Sequence, residues 1–235
     1  MNSTEYEKYY DEMCLKHNNM LDFNFFEDDF SEISFLEKAI YYEDLSFLNN
    51  DNLSFNVNMR LKYNYTLLMI ATFYSSEKFV NYLLEHGAEV DAISNNGSTA
   101  LHYLCADIMI QNREGIFFSL VKNNANIELR NYDGLNPFLL AAGSNAVDFL
   151  ELLIEYGVDI NTTHDTYVNA LYYAIIKDSY EAAKFLFEKE LYQSFNSEQN
   201  YEMLTFFIEK KDREIVKQII NKISFSQEDL NRALS

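Results

Sequence analysis

The stretch Asn96-Gly97-Ser98-Thr99-Ala100-Leu101-His102 decides the fold, because it recurs. It returns as Asp133-Gly134-Leu135-Asn136-Pro137-Phe138-Leu139 and, more drifted, as Thr166-Tyr167-Val168-Asn169-Ala170-Leu171-Tyr172. An earlier copy reads Tyr63-Asn64-Tyr65-Thr66-Leu67-Leu68-Met69. With Thr66, Thr99, Asn136 and Asn169 as equivalent positions, the spacings are 33, 37 and 33 residues. A closing phrase keeps step. Tyr82-Leu83-Leu84-Glu85-His86-Gly87-Ala88-Glu89-Val90-Asp91 matches Leu152-Leu153-Ile154-Glu155-Tyr156-Gly157-Val158-Asp159-Ile160-Asn161, with a weaker copy from Leu120 to Ile127. Gly87 and Gly157 are 70 residues apart, so two independent phrases report one period and one four-residue expansion. A fixed period of this length is the signature of stacked supersecondary units.

The unit can be read as physics. Thr66, Thr99, Asn136 and Asn169 stand where a side-chain oxygen can accept from the orphan N–H groups of a helix start. Pro137 follows at a first helical position, where its missing N–H costs nothing. The small residues Ala71, Cys105, Ala141, Ala142 and Ala174 allow two helices to approach closely. Phe79, Val80, Leu83 and Leu84 share one face of a second helix, as do Phe149, Leu150, Leu152 and Leu153. Gly87 and Gly157 suit a left-handed helix end, and Gly97 and Gly134 suit a turn between units.

These residues resemble the ankyrin repeat, whose 33-residue unit is a turn plus two antiparallel helices opened by a Thr-Pro-Leu-His-type phrase. Pro137 alone keeps the proline of that phrase and His102 alone its histidine. The resemblance implies an all-α ankyrin-repeat solenoid of paired antiparallel helices with short finger turns, and helical caps at both ends. The expected organisation is an acidic aromatic extension over 1–32 and an N-terminal capping repeat over 33–62. Repeats follow at 63–95, 96–132, 133–165 and 166–193, with a helical cap over 194–235. The expansion falls within Asp107–Gly115. It is either a drifted linker or a binding loop, since insertions in solenoids often lie on a contact face.

Composition narrows the function. Of 235 residues, 37 are acidic and 18 basic, a formal charge of −19. Phosphate recognition needs clustered Lys and Arg, so nucleic acid is not an expected direct partner, and neither is an anionic membrane. Residues 1–50 hold twelve acidic and three basic side chains, so the acidity is concentrated there. At 48% hydrophobic the chain has ample material for a core, and one proline with six glycines favours helices joined by short connections. Cys14 and Cys105 are too few for a disulfide framework, which fits a reducing compartment. No uncharged apolar run is long enough to span a bilayer, and Met1-Asn2-Ser3-Thr4-Glu5 lacks a basic n-region. The expected location is cytoplasmic, or a host cytoplasm reached without a conventional signal peptide.

No phosphate loop, GxGxxG, GxSxG, HExxH or EF-hand pattern is present. Cys14 and His17 form a C-x-x-H pair with no second pair to complete a zinc site. Adjacent acids such as Asp28-Asp29 do not face each other on a helix. No cofactor, metal or enzymatic activity is therefore expected. What the family resemblance implies instead is a concave surface of finger turns and first helices. Lys62, Tyr63, Asn95, Asn96, Tyr132, Asp133, Asp165, Thr166 and Tyr167 align with the fingers. Phe73, Tyr74, Asp107, Ser144, Lys177 and Asp178 align with the groove-facing ends of first helices.

Partner binding is assigned to Tyr63, Phe73, Tyr74, Asn95, Asp107, Tyr132, Asp133, Asp165, Tyr167 and Lys177. The repeat register places Tyr63, Tyr65, Tyr132 and Tyr167 near the finger turns, outside the helix–helix core, where tyrosine is a preferred interface anchor, while Tyr103 and Tyr173 follow the opening phrase and are expected to be buried. An acidic groove steers a cationic partner, although acidity also simply keeps a solenoid soluble. The expected function is non-catalytic binding of a basic protein by a monomer acting as an inhibitor, immunity factor or adaptor. The alternatives are a secreted bacterial or viral effector that targets a host protein, and an enzyme whose site lies in the non-repeat ends.

Overall fold

The computed structural model describes Ile40 and residues 56–106, 113–164 and 168–234. The extension at 1–32 and most of the capping repeat at 33–62 lie outside the described residues. The rest is a run of helical hairpins. First helices α1 (Leu67–Phe73), α3 (Ala100–Ala106), α5 (Pro137–Gly143) and α7 (Ala170–Ile176) alternate with second helices α2 (Glu77–Glu85), α4 (Arg113–Lys122), α6 (Val147–Glu155) and α8 (Tyr180–Glu188). A single 3₁₀ turn at Leu191–Ser194 leads to α9 (Ser197–Glu209), α10 (Arg213–Lys222) and α11 (Gln227–Leu234). First helices pack on first helices (α1 on α3, α3 on α5, α5 on α7, α7 on α9), and second helices do likewise for α2 on α4 and α6 on α8. The chain is thus an all-α repeat solenoid.

Each first helix has seven residues, too short to hold in water alone. Stacking supplies what propensity does not. Leu68, Leu101, Phe138, Leu171 and Leu204 form one fully buried row, and Leu83, Leu120, Leu153, Leu186 and Ile219 form another. Burying one such side chain contributes about 1.5–3 kcal/mol, against a few tenths per residue from helix propensity. Both rows run on into α9 and α10, so the C-terminal pair continues the repeat with a longer first helix. Of its apolar residues, Met203, Leu204, Phe206, Phe207, Ile215 and Ile219 are buried, while Ile220 is exposed.

The cap positions behave as their chemistry requires. Thr66 Oγ1 accepts from Met69 N at 3.3 Å, Asn136 Oδ1 from Leu139 N at 3.0 Å, and Asn169 Oδ1 from Tyr172 N at 3.0 Å. Thr99 does more. Its N–H donates to His102 Nδ1 at 3.2 Å, while His102 Nε2 lies 3.2 Å from Leu135 O in the next finger. With Nδ1 accepting, the proton sits on Nε2 and is donated across 33 residues of sequence. Burial pulls this imidazole down to about 4, against the Leu135 and Leu129 carbonyls, which favour the charged form.

Four of the five hairpins close their loops on the same hydrogen bond. The backbone N–H of Ser76, Ala146 and Ser179 donates to Ala71, Ala141 and Ala174 at 2.9 Å, and that of Asp212 to Phe207 at 3.1 Å. A residue at positive φ precedes each donor: Ser75, Asn145, Asp178 and Lys211. Three residues separate the paired helices there, whereas the six residues 107–112, outside the described residues, lie between the described ends of α3 and α4. Arg113–Gly115 of the expanded segment begin α4, which is ten residues long against nine for the other second helices of the repeats. At this hairpin the donor to the equivalent carbonyl, among the described residues, is a side chain. Arg113 Nη2 donates to Leu104 O at 3.3 Å, the guanidinium lies 4.2 Å over the Phe149 ring, and Nη1 is 3.7 Å from Asp148 Oδ2. The buried Nε finds no partner among the described residues.

Arg113→Ala removes the donor to the Leu104 carbonyl and the contact over Phe149, and should lower unfolding free energy by about 2 kcal/mol in urea titration. Deleting residues 107–110 together with Arg113→Ser places Asn112 at the positive-φ position and a backbone N–H opposite Leu104, and should restore most of that loss. Equal stability of Arg113→Ala and the parent chain would contradict the assignment. His102 predicts a second effect. Between pH 6.5 and pH 4 the unfolded chain takes up a proton that the folded chain refuses, so this contribution is complete above pH 6.5 and is lost as pH falls. Between pH 7 and pH 5 it amounts to about 2 kcal/mol, and a His102→Leu variant should show a correspondingly flatter pH dependence.

Candidate functional site

The finger turns are built by short backbone bridges. Leu61 N donates to Tyr65 O at 2.8 Å, Ser94 N to Ser98 O at 3.0 Å, and Asn131 N to Leu135 O at 2.9 Å. In the fourth finger, β1 (Thr163–His164) pairs antiparallel with β2 (Val168–Asn169). Neighbouring fingers are then tied to each other. Asn95 N donates to Tyr63 O at 2.8 Å, Tyr132 N to Asn96 O at 3.0 Å, and His164 Nε2 bonds to Asp133 O. Below the fingers a second ladder repeats. Glu89 N donates to Asn58 Oδ1 at 2.8 Å, Asn126 N to Asp91 Oδ1 at 3.0 Å, and Asp159 N to Glu128 Oε1 at 2.7 Å. Two acids of this chain, Asp91 and Glu128, thus serve the fold by receiving the backbone of the next unit.

The ladder presents a row of exposed tips: Lys62, Tyr63, Asn95, Asn96, Tyr132 and Asp133. Lys62 Nζ lies 5.3 Å from the Tyr63 ring centroid. Tyr63 has a positive φ of 56°, which a bulky residue adopts only under constraint. The Asn96 side chain is committed to its own turn, accepting from Ser98 N at 3.1 Å and from Ser94 Oγ at 2.6 Å. Asn95 makes no such side-chain bond among the described residues. Tyr132 is 72% exposed. Its ring edge lies on Gly97, where an added Cβ would stand 2.7 Å from Tyr132 Cδ1, so glycine is needed both for its φ of 78° and for the ring. Asp133 N donates to Asn131 Oδ1 at 3.1 Å and its carbonyl receives His164. Its carboxylate makes no hydrogen bond or ion pair among the described residues.

The helix-end positions differ in character. Phe73 and Tyr74 are half-buried, with rings 5.4 Å apart edge to face. Ser144 Oγ donates to Ala106 O at 2.8 Å, and Asp178 pairs with Lys210, so both have structural partners. Lys177 is exposed, with Nζ 5.5 Å from the Tyr173 ring centroid. The Tyr173 hydroxyl is held above its usual range by burial and then by the Asp133 carboxylate. Asp107, Asp165, Thr166 and Tyr167 lie outside the described residues.

Two tyrosines depart from the repeat register. Tyr65, placed near a finger by alignment, is buried, its ring 5.4 Å from that of Tyr103, and burial drives its hydroxyl well above the usual range. Tyr173, expected in the core, is half-buried, its ring lying where a Cβ on residue 143 would stand, a space that Gly143 leaves open. Sequence reasoning missed Ile176, which is 56% exposed at the end of α7 beside Lys177. The signal was available, since Ile176 follows Gly143 by one period of 33. Cys105 is fully buried and its thiol is driven upward by desolvation, so it is inert. Among the described residues no three His, Cys, Asp or Glu side chains are placed to hold a metal ion, and no helix is long and apolar enough to cross a membrane.

Comparison with known proteins agrees with this geometry. A family profile described as ankyrin repeats in three copies matches residues 36–112 and 106–199. The chain is 32% identical over 119 residues to neurogenic locus notch homolog protein 1 of Homo sapiens, covering 50% of this chain and 4% of that protein. The Xenopus laevis counterpart is 30% identical over 122 residues, covering 52% and 5%. An ankyrin repeat protein of Fowlpox virus is 31% identical over 127 residues, covering 53% and 36%. The chain therefore spans well under two thirds of each relative's own length. Ankyrin repeats are generally protein–protein interaction modules, and the family is typically non-enzymatic. A 33-residue period, hairpins closed by one recurring hydrogen bond and a profile match over most of the chain lead to one conclusion: the chain belongs to the ankyrin-repeat family.

Proposed function

We propose that the chain binds a basic partner protein along its finger tips and the adjoining first-helix ends, as an inhibitor, immunity factor or adaptor, with no chemistry of its own. The observation that carries this reading is Tyr132. A large aromatic ring stands 72% exposed on a tip whose backbone is locked to the preceding finger, a position in which it adds little to the core. Aromatic anchors of this kind dominate the energetics of interfaces. Asp133 beside it supplies an unpaired negative charge, and the net charge of −19 gives a field that speeds encounter with a cation. Tyr63, Asn95 and Lys177 extend the surface, with Phe73 and Tyr74 as its half-buried floor. Asp107, Asp165 and Tyr167 belong to the same proposal by alignment.

The test is affinity capture from the native source at low and high salt, with the parent chain, with Asp133→Lys and with residues 1–32 deleted. The expected outcome is one basic protein held by the parent, released by salt, held at least fivefold less by Asp133→Lys and retained by the deletion. Retention that ignores both salt and Asp133→Lys overturns the electrostatic reading. Loss on deletion of 1–32 moves binding to the acidic extension.

A further inference from the structure

This chain handles its own cationic side chains in a recurring way, with an aromatic face below and a carboxylate beside. Lys222 Nζ lies 5.7 Å from the ring centroids of both Phe187 and Tyr192, with Glu190 Oε1 at 3.4 Å. Arg113 lies over Phe149 with Asp148 at 3.7 Å. Lys210 lies 5.4 Å over Phe206 and pairs with Asp178. The ring quadrupole and the carboxylate attract the same charge, and the apolar ring body limits its hydration. Tyr132 and Asp133 are consecutive, exposed residues of a finger tip and carry the same two kinds of group. Among the described residues no Lys or Arg lies over Tyr132 and none pairs with Asp133. Two neighbouring cations are engaged elsewhere: Lys177 over Tyr173, and Arg130 on Gly134 O at 2.6 Å and Thr162 Oγ1 at 2.7 Å.

We infer that Tyr132 and Asp133 receive an arginine side chain of the partner, its guanidinium stacked on the ring and hydrogen-bonded to the carboxylate. The inference rests on the proposed basic partner and names the side chain that this partner presents. Arginine fits better than lysine, because a guanidinium is planar, weakly hydrated and forked to match a carboxylate, whereas an ammonium is a strongly hydrated point charge. The site is organised before binding. Tyr132 N is held by Asn96 O, Asp133 N by Asn131 Oδ1, and Asp133 O by His164, so little backbone ordering remains to oppose association.

The probe is a peptide of four Arg-Gly units and its Lys-Gly counterpart, titrated by calorimetry into the full chain at low salt. The parent chain is expected to bind the arginine peptide more tightly than the lysine peptide. Tyr132→Ser and Asp133→Asn should each weaken the arginine peptide about five- to tenfold, while Tyr132→Phe, which keeps the aromatic face, should stay within about twofold. Glu85→Gln, which removes one exposed charge at the end of α2, is the control for net charge and should leave affinity nearly unchanged. Circular dichroism establishes that each variant is folded. If Tyr132→Ser and Asp133→Asn act no more strongly than Glu85→Gln while the peptides still bind, the attraction is diffuse. The arginine site is then wrong and the basic-partner reading survives. If the parent chain binds neither peptide, both readings fall.

Discussion

A helix of seven residues leaves most of its backbone groups without an intrahelical partner, and everything else in this structure follows from making such helices hold. Their ends are capped by Thr66, Asn136 and Asn169, and their inner faces are taken out of water by the row from Leu68 to Leu204. Neither contribution exists for a unit by itself. The cap is worth about 1 kcal/mol, and the buried row requires a neighbour on each side. Stability in such a chain is a sum over interfaces between units, which is why strongly drifted copies still fit so long as phase is kept.

Phase is kept at the hairpin loops. Where three residues join two helices, a backbone N–H closes the loop on the carbonyl five residues earlier. Where the connection is longer, the Arg113 guanidinium reaches back to Leu104 and carries the same restraint through a side chain. Beyond it α4 packs on α2, as α8 packs on α6. The same logic of substitution appears in the fingers, where the His164 side chain bonds to the Asp133 carbonyl and links one tip to the next.

The rigid ladder has a consequence for binding. Tips tied through their backbones leave their side chains to face outward, so Tyr132 and Asp133 are held in place without being consumed by the fold. Many other charges of this acidic chain are consumed. Asp91, Glu128 and Asp212 accept backbone N–H groups, and Glu202 receives the Tyr172 hydroxyl, which is pushed up to about 12 by burial and by that contact. Net charge therefore overstates the acidity available to a partner. Asp133 differs from those acids in that its backbone N–H and carbonyl are tied into the fingers while its carboxylate makes no hydrogen bond or ion pair among the described residues.

The sequence by itself determined the repeat, its period, the capping residues and the burial of Cys105, because these depend on local chemistry and on spacing alone. It also located the expansion between two helices. The fate of individual aromatic side chains was decided by the tertiary structure. Tyr65 and Tyr132 both lie near finger turns by alignment, yet one is buried against Tyr103 and the other stands in water. Tyr173 is half-exposed because the neighbouring unit carries glycine at position 143. Arg113 reads as one basic residue at a helix start, and only the three-dimensional structure shows its guanidinium donating to the Leu104 carbonyl of the preceding helix. Period and propensity are properties of one unit, whereas exposure and hydrogen-bond partnership belong to the contact between two, and that contact exists only once the units have stacked.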